Sequence, residues 1–235
     1  MEKRKMEGTF KIESKVFDSK TLLTIMKIME KGVIKSVESV VKEGKESMIV
    51  SAKDRDGRCL AMKIYKTLHC DFKSRWKYLV LDPRFKNIKK ERRAVVNNWC
   101  KREFKNLKKA YESGVNCPQP ILFKENVLVM TFIGENCIPA PRLIDIDLNK
   151  SQIEDIYSKI LNEIKKLFHA GIIHSDLSPY NVLILYDQPY LIDFSQAITK
   201  NHPLANEWLE RDVKNINRYF SKFGLQTKNL NEIIG

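Results

Sequence analysis

Residues 171–199 read GIIHSDLSPYNVLILYDQPYLIDFSQAIT. An apolar approach delivers His174-Ser175-Asp176, and Asn181 follows five residues after the aspartate. A second apolar run, Tyr190-Leu191-Ile192, then delivers Asp193. A lone His-x-Asp turn arises by chance in many chains, and an aspartate after an apolar run is commonly a strand-end cap. Both together, in this order and across a hairpin-like insert containing Gln188-Pro189, are hard to reach by chance. Any fold for this chain has to seat that stretch.

The residue types suit phosphoryl transfer. One carboxylate orients or deprotonates a hydroxyl nucleophile, while an Asn and a second carboxylate hold Mg²⁺ on the nucleotide phosphates. The spacing H-x-D-x-x-x-x-N is that of a kinase catalytic loop. It makes Asp176 the catalytic carboxylate, and Asn181 and Asp193 the metal ligands. The reading then needs a phosphate-contacting lysine upstream.

Lys63 is the candidate. The Asp56-Gly57 turn signal closes a hairpin whose second strand runs from Cys59 to Tyr65. A lysine inside that apolar strand either points to water from a sheet edge or is the strand lysine of an A-x-K pattern. Residues 91–113 predict a helix with Val95, Val96, Trp99, Cys100, Phe104, Leu107 and Ala110 on one broad face, closed by Gly114. Glu103 lies near that stripe. It is either solvated and paired along its own helix or the helix glutamate that pairs with the lysine.

The rest of the chain sorts around these residues. Residues 1–32 form a basic tail and a short apolar helix that ends at Gly32. Residues 33–132 are rich in strands and include a basic-aromatic loop at 66–90 with Phe72, Trp76, Tyr78 and Phe85. Residues 133–235 are helical and contain the opening stretch. Ser151-Gln152-Ile153-Glu154 reads as a capping box that opens a helix, and residues 204–220 predict a final amphipathic helix.

Composition narrows the partners. A formal charge of +13 with pI 9.4 favours an anionic partner such as RNA, a ribosome or an acidic protein. The basic-aromatic loop could contribute charge and stacking. Five scattered cysteines without a C-x-x-C pair predict reduced thiols in a cytoplasmic compartment rather than a disulfide framework. The start lacks an apolar signal-peptide core and no apolar run is long enough to span a bilayer, so neither a leader nor a membrane segment is expected.

Together the stretches AMKIYKT, CDFKSRWKYL, DPRFK, WCKREFKNLKKAYESGVNCPQPI, VLVMTFIG, PAPRL, HSDLSPYNVL, LIDFSQA and HPLANEWLERDVKNINRYF resemble the RIO atypical protein kinases, and among them the RIO one type. They keep the family's order over roughly residues 33–225. The resemblance implies an α+β fold: a trimmed bilobal protein-kinase-like (RIO) fold with a β-rich N-lobe and a helical C-lobe. It implies ATP in the cleft with Mg²⁺, for which Mn²⁺ can substitute. Carried over by position, Lys63 contacts the phosphates and Glu103 pairs with it. Met130 stands beside the adenine, the backbones of Thr131 and Ile133 bond its edge, and Ile49, Ala61 and Leu183 sandwich the base. Gly44, Lys45 and Ser47, in a single-glycine turn, lie over the phosphates. Asp176 is catalytic, Asn181 and Asp193 hold metal, and Asp193 is also the position of an acyl-phosphate acceptor.

The resemblance also implies serine autophosphorylation or ATP hydrolysis, in maturation of the small ribosomal subunit and with its RNA as partner. Two other readings compete with it: a catalytically weak nucleotide-dependent RNA or pre-ribosome binding module, and a small-molecule phosphotransferase. Some residues depart from the pattern. The turn Gly44-Lys45-Glu46-Ser47 is closer to the RIO two type, Pro179 stands where the family often has Glu, and Phe194 where it often has Val. Neither D-F-G nor A-P-E occurs, and nothing resembling an activation segment lies between Asp193 and the last helix.

Overall fold

The computed structural model describes residues 17–67, 76 and 89–235. Phe72, Tyr78 and Phe85 of the basic-aromatic loop, and most of the N-terminal tail, lie outside the described residues.

An N-terminal helix α1 (Ser19–Glu30) is followed by strands β1 (Ser36–Glu43), β2 (Ser47–Lys53) and β3 (Cys59–Tyr65). Helix α2 (Arg92–Glu112) then leads to β4 (Pro120–Lys124) and β5 (Val127–Thr131). The five strands form one antiparallel sheet in the order β1-β2-β3-β5-β4. β3 is therefore central, which removes the sheet-edge alternative for Lys63.

The two-residue strand period sorts side chains between two jobs. Met48, Val50, Leu60, Met62, Ile64, Val127 and Val129 join Ile25 and Ile28 of α1 in one buried cluster. Each aliphatic side chain fully buried there contributes about 1.5–3 kcal/mol. Their neighbours Ile49, Ala61, Lys63 and Met130 face the opposite side, where a cleft opens. Ladder register aligns these cleft residues, with Ile49 opposite Lys63 and Ala61 opposite Met130.

Asp18 caps α1 by accepting from the Thr21 N–H, and it also accepts from Thr67 and Arg93. One carboxylate thus ties α1 to the exit of β3 and to the start of α2.

After β5 a small hairpin, β6 (Gly134–Glu135) and β7 (Ile138–Pro139), leads into helix α3 (Lys150–His169). The capping box of α3 is Asn149 with Gln152, not Ser151 with Glu154: Asn149 accepts from the Gln152 N–H while the Gln152 side chain accepts from the Asn149 N–H. Asn is as good a cap as Ser, and it starts the helix earlier. β8 (Ile172–Ile173) pairs with β11 (Ile198–Thr199), and β9 (Val182–Leu185) pairs with β10 (Gln188–Leu191). Helix α4 (Ala205–Ser221) is not the last, because a short α5 (Leu230–Ile234) buries Ile233 against the larger core. That core runs from Val95 and Trp99 of α2 through Ile156, Ile160 and Ile164 of α3 to Val213 and Ile216 of α4.

The expectation of reduced thiols is overturned at one pair. Cys59 and Cys137 form a disulfide, with Cα atoms 5.4 Å apart at a sequence separation of 78. Spacing along the chain did not reveal it, because the sheet and the β6–β7 hairpin bring the two together. Cys100 and Cys117 are buried thiols.

Candidate active site

Lys63 is 4% exposed at the floor of a cleft of 480 Å³ between the sheet and the helical half. Its ammonium reaches Glu103 Oε1 at 2.8 Å and Asp193 Oδ1 at 2.7 Å. Burial disfavours its charge, but Asp193 and then Glu103 outweigh burial and push its pKa above the usual lysine range. Glu103 is 2% exposed and also accepts from the Tyr65 hydroxyl. Burial pushes the Glu103 carboxyl up, against the pull of Lys63.

Asp193 shows the opposite balance. Burial would raise its pKa, yet the Lys63 charge and the hydrogen bonds from Lys63 and Ser195 hold the carboxyl well below the usual range. Ser195 Oγ donates to Asp193 Oδ1 at 2.7 Å. Asp193 has φ +64° and Ser175 has φ +67°, a left-handed backbone that side chains other than glycine rarely adopt.

The Ser175 segment is clamped. The Ser175 and Leu177 N–H groups donate to Asp212 at 2.8 and 2.9 Å, Arg211 donates to the Ser175 carbonyl, and Asn215 donates to the Leu177 carbonyl. These anchors all come from α4. Asp212 is 1% exposed, and burial pushes its carboxyl up to about 7 despite the two backbone N–H donors. His174 Nε2 lies 3.0 Å from the Ile192 carbonyl, which can only accept, so that nitrogen carries the proton. Burial lowers the His174 pKa to about 4, so the ring is a neutral strut between the two irregular segments.

Asp176 is exposed, at the rim rather than in the cleft lining. Burial of part of its carboxyl and then the Asp193 charge raise its pKa. The Asn181 amide donates to the Asp176 carbonyl at 2.9 Å and to Oδ2 at 3.4 Å, and Gln196 Nε2 lies 3.5 Å from Oδ2.

The cleft lining brings together most of the residues expected from the sequence: Gly44, Ser47, Ile49, Ala61, Lys63, Glu103, Met130, Thr131, Ile133, Asn181, Leu183 and Asp193. Lys45 is not among them, being exposed at the tip of the turn. The Gly44 N–H donates to the Ser47 carbonyl at 2.9 Å, so the turn closes on itself and that donor is already used. Sequence reading missed Tyr65, Arg102, Asn106, Ser195, Gln196, Arg211, Asp212 and Asn215, which orient the site without lining it. It also missed Arg142 and Asp145 at the mouth, joined by a two-point ion pair. The available signal was polar residues on the apolar faces of α2 and α4.

An oxygen-donating pair, Asn181 and Asp193, suits a hard cation such as Mg²⁺, which takes one or two carboxylates and keeps its other positions for water and phosphate. Asp193 Oδ1 is occupied by Lys63 and Ser195, and the Asn181 amide nitrogen is turned onto Asp176. Asp193 Oδ2 and the Asn181 carbonyl oxygen are the remaining donors.

The RIO domain family model matches residues 48–233. The RIO-type serine/threonine-protein kinase Rio1 of Methanocaldococcus jannaschii is 40% identical over 223 residues, covering 93% of this chain and 74% of the relative. The serine/threonine-protein kinase RIO1 of Homo sapiens is 32% identical over 221 residues, 93% of this chain but 39% of that protein. Among solved structures, the Rio2 kinase-ADP/Mg²⁺-phosphoaspartate complex from Chaetomium thermophilum superimposes with a TM-score of 0.70 at 23% identity, over 90% of this chain and 64% of that one. That likeness is one of fold.

Proposed function

The chain belongs to the RIO domain family, in which its relatives are named serine/threonine-protein kinases, and from that premise we propose that it transfers the γ-phosphoryl group of ATP, with Mg²⁺, to a serine hydroxyl or to water. The observation that carries this reading is the Lys63 ammonium held between Glu103 and Asp193 at the floor of the cleft. Lys63 binds the phosphates. Asp176 takes the proton of the attacking hydroxyl as the oxygen bonds to phosphorus and ADP leaves; its raised pKa suits that task. Asn181 and Asp193 would hold Mg²⁺, which would neutralise charge on the phosphate oxygens. Ile49, Ala61, Leu183 and Met130 surround the adenine, with the backbones of Thr131 and Ile133 at its edge. Gly44 and Ser47 cover the phosphates.

The solved complex of the Rio2 kinase with ADP, Mg²⁺ and phosphoaspartate supports ATP and Mg²⁺ as ligands here and Asp193 as an acyl-phosphate acceptor. Action in the cytoplasm on small-ribosomal-subunit precursors and their RNA completes the reading, with the charge of +13 in its favour.

Purified chain given γ-labelled ATP should label itself or release phosphate, and Asp176→Ala should do neither; activity in that variant would remove Asp176 from the role. A single-turnover trial separating acid-stable phosphoserine from labile acyl phosphate decides between kinase and ATPase. A second reading, a nucleotide-dependent binding module with negligible turnover, is favoured by the short path from Asp193 to α4 at Ala205, which lacks a peptide-docking segment. In that case pre-ribosome association persists without turnover and weakens steeply with salt.

A further inference from the structure

We propose that Asn106 is a positioning residue for the phosphoryl-transfer site. Together with Arg102, it fixes the turn 194–197, which presents a partner to each of the two site carboxylates. The inference rests on the proposed phosphoryl-transfer reading.

Arg102, Glu103 and Asn106 all come from α2 and are 1%, 2% and 0% exposed. Glu103 turns toward Lys63. Asn106 Nδ2 donates to the Ala197 carbonyl at 2.8 Å and to the Phe194 carbonyl at 3.2 Å. Arg102 Nη1 donates to the Ser195 carbonyl at 2.7 Å. Three carbonyls of one four-residue turn are thus held by two side chains of a single helix.

The turn needs such help. It leaves Asp193 with φ +64°, and the hydrogen bond it makes on itself, from the Ala197 N–H to the Phe194 carbonyl, measures 3.2 Å. A left-handed residue other than glycine persists only where its surroundings over-determine it. For packing alone, a leucine would serve on the buried face of α2. A buried amide is justified by the backbone groups it satisfies.

What the turn carries explains why its geometry matters. Ser195 Oγ donates to Asp193 Oδ1 at 2.7 Å, and Gln196 Nε2 reaches Asp176 Oδ2 at 3.5 Å. The same α2 therefore sets Lys63 through Glu103, Asp193 through Ser195, and Asp176 through Gln196. Contacts from this one helix thus reach both halves of the site, alongside the α4 anchors of the Ser175–Leu177 backbone.

The test is Asn106→Leu in the full chain, read by kinetics, Mg²⁺ titration of ADP binding, hydrogen exchange and thermal midpoint. The expected result is a fall in kcat of roughly 10²-fold, with the KM for ATP within about 3-fold of wild type. Half-saturating Mg²⁺ should rise about 10-fold, and the amides of 194–197 should lose protection. A folded variant with wild-type Mg²⁺ dependence and wild-type exchange at 194–197 overturns the inference, whatever its thermal midpoint. If Asn106→Leu does not fold, Arg102→Lys is read by the same quantities and the same criteria. Should wild type itself neither take label nor release phosphate, the activity reading fails. Exchange at 194–197 and the Mg²⁺ titration then still decide the role of Asn106.

Discussion

The two walls of the cleft are built on different principles. The Lys63 wall is regular: a central strand holds the residue by ladder hydrogen bonds, and its charge is matched within one buried cluster. The Asp176 and Asp193 wall is irregular. It includes two left-handed residues, Ser175 and Asp193, each adding strain of about 1–3 kcal/mol, and remote polar anchors on α4 and α2 hold the backbone beside them. A regular wall needs only the right residue at the right register. An irregular wall needs partners that sit far away in sequence, so damage to it arises at side chains that do not line the cleft.

The largest expected effect comes from breaking the regular wall at its charge. Lys63→Met strands Glu103 in the core, and removing one partner of a buried pair costs about 3–5 kcal/mol. Urea unfolding measures it, and a loss below about 1 kcal/mol would mean that this wall does not depend on the pair.

Asp212→Ala attacks the irregular wall without touching the cleft. It leaves the Ser175 and Leu177 N–H groups unsatisfied at about 1–3 kcal/mol each. Turnover should fall further than stability predicts, because the Asp176 loop relaxes.

Cys59→Ser opens a long covalent loop and should cost about 2–4 kcal/mol. Dithiothreitol should lower the thermal midpoint of wild type and leave that of the variant unchanged.

The pH dependence gives a finer contrast. Asp212 has a folded value of about 7, pushed up by burial, against about 4 in an unfolded chain. The folded state therefore holds a proton that the unfolded state has lost, so this contribution to stability is full at low pH and fades as pH rises from about 4 through 7. Asp212→Asn should flatten the fall in thermal midpoint between those values. Asp176, also raised and near Arg211, contributes in the same direction. The smallest effect belongs to the surface pair Lys66–Glu43: Lys66→Ala should change stability by less than about 0.5 kcal/mol.

The same contrast explains what could be read from the sequence. β3 and the face of α2 show in their periods, because side chains two apart in a strand or three to four apart in a helix report burial directly. Lys63 and Glu103 stood out because a charged residue interrupted those patterns. Asp212 and Asn106 interrupted theirs as well, yet what each binds is a backbone carbonyl or N–H, which carries no sequence signature. The internal bond of the turn, from the Gly44 N–H to the Ser47 carbonyl, is silent in the sequence for the same reason. Cys59 and Cys137 are paired through the sheet, at a separation that no spacing rule covers.

Gly134, inside the β6–β7 hairpin, permits no side chain at all. A Cβ there would fall 2.1 Å from the Ile138 carbonyl oxygen, and its φ of +149° is itself one that L residues rarely adopt. The hairpin that joins the two walls is thus closed backbone to backbone at one end and stapled to β3 by sulfur at the other. Beyond it the Ile184 N–H donates to the Pro141 carbonyl and the Tyr219 hydroxyl to the Leu143 carbonyl, so the chain crosses from one wall to the other with its backbone bonded on both sides.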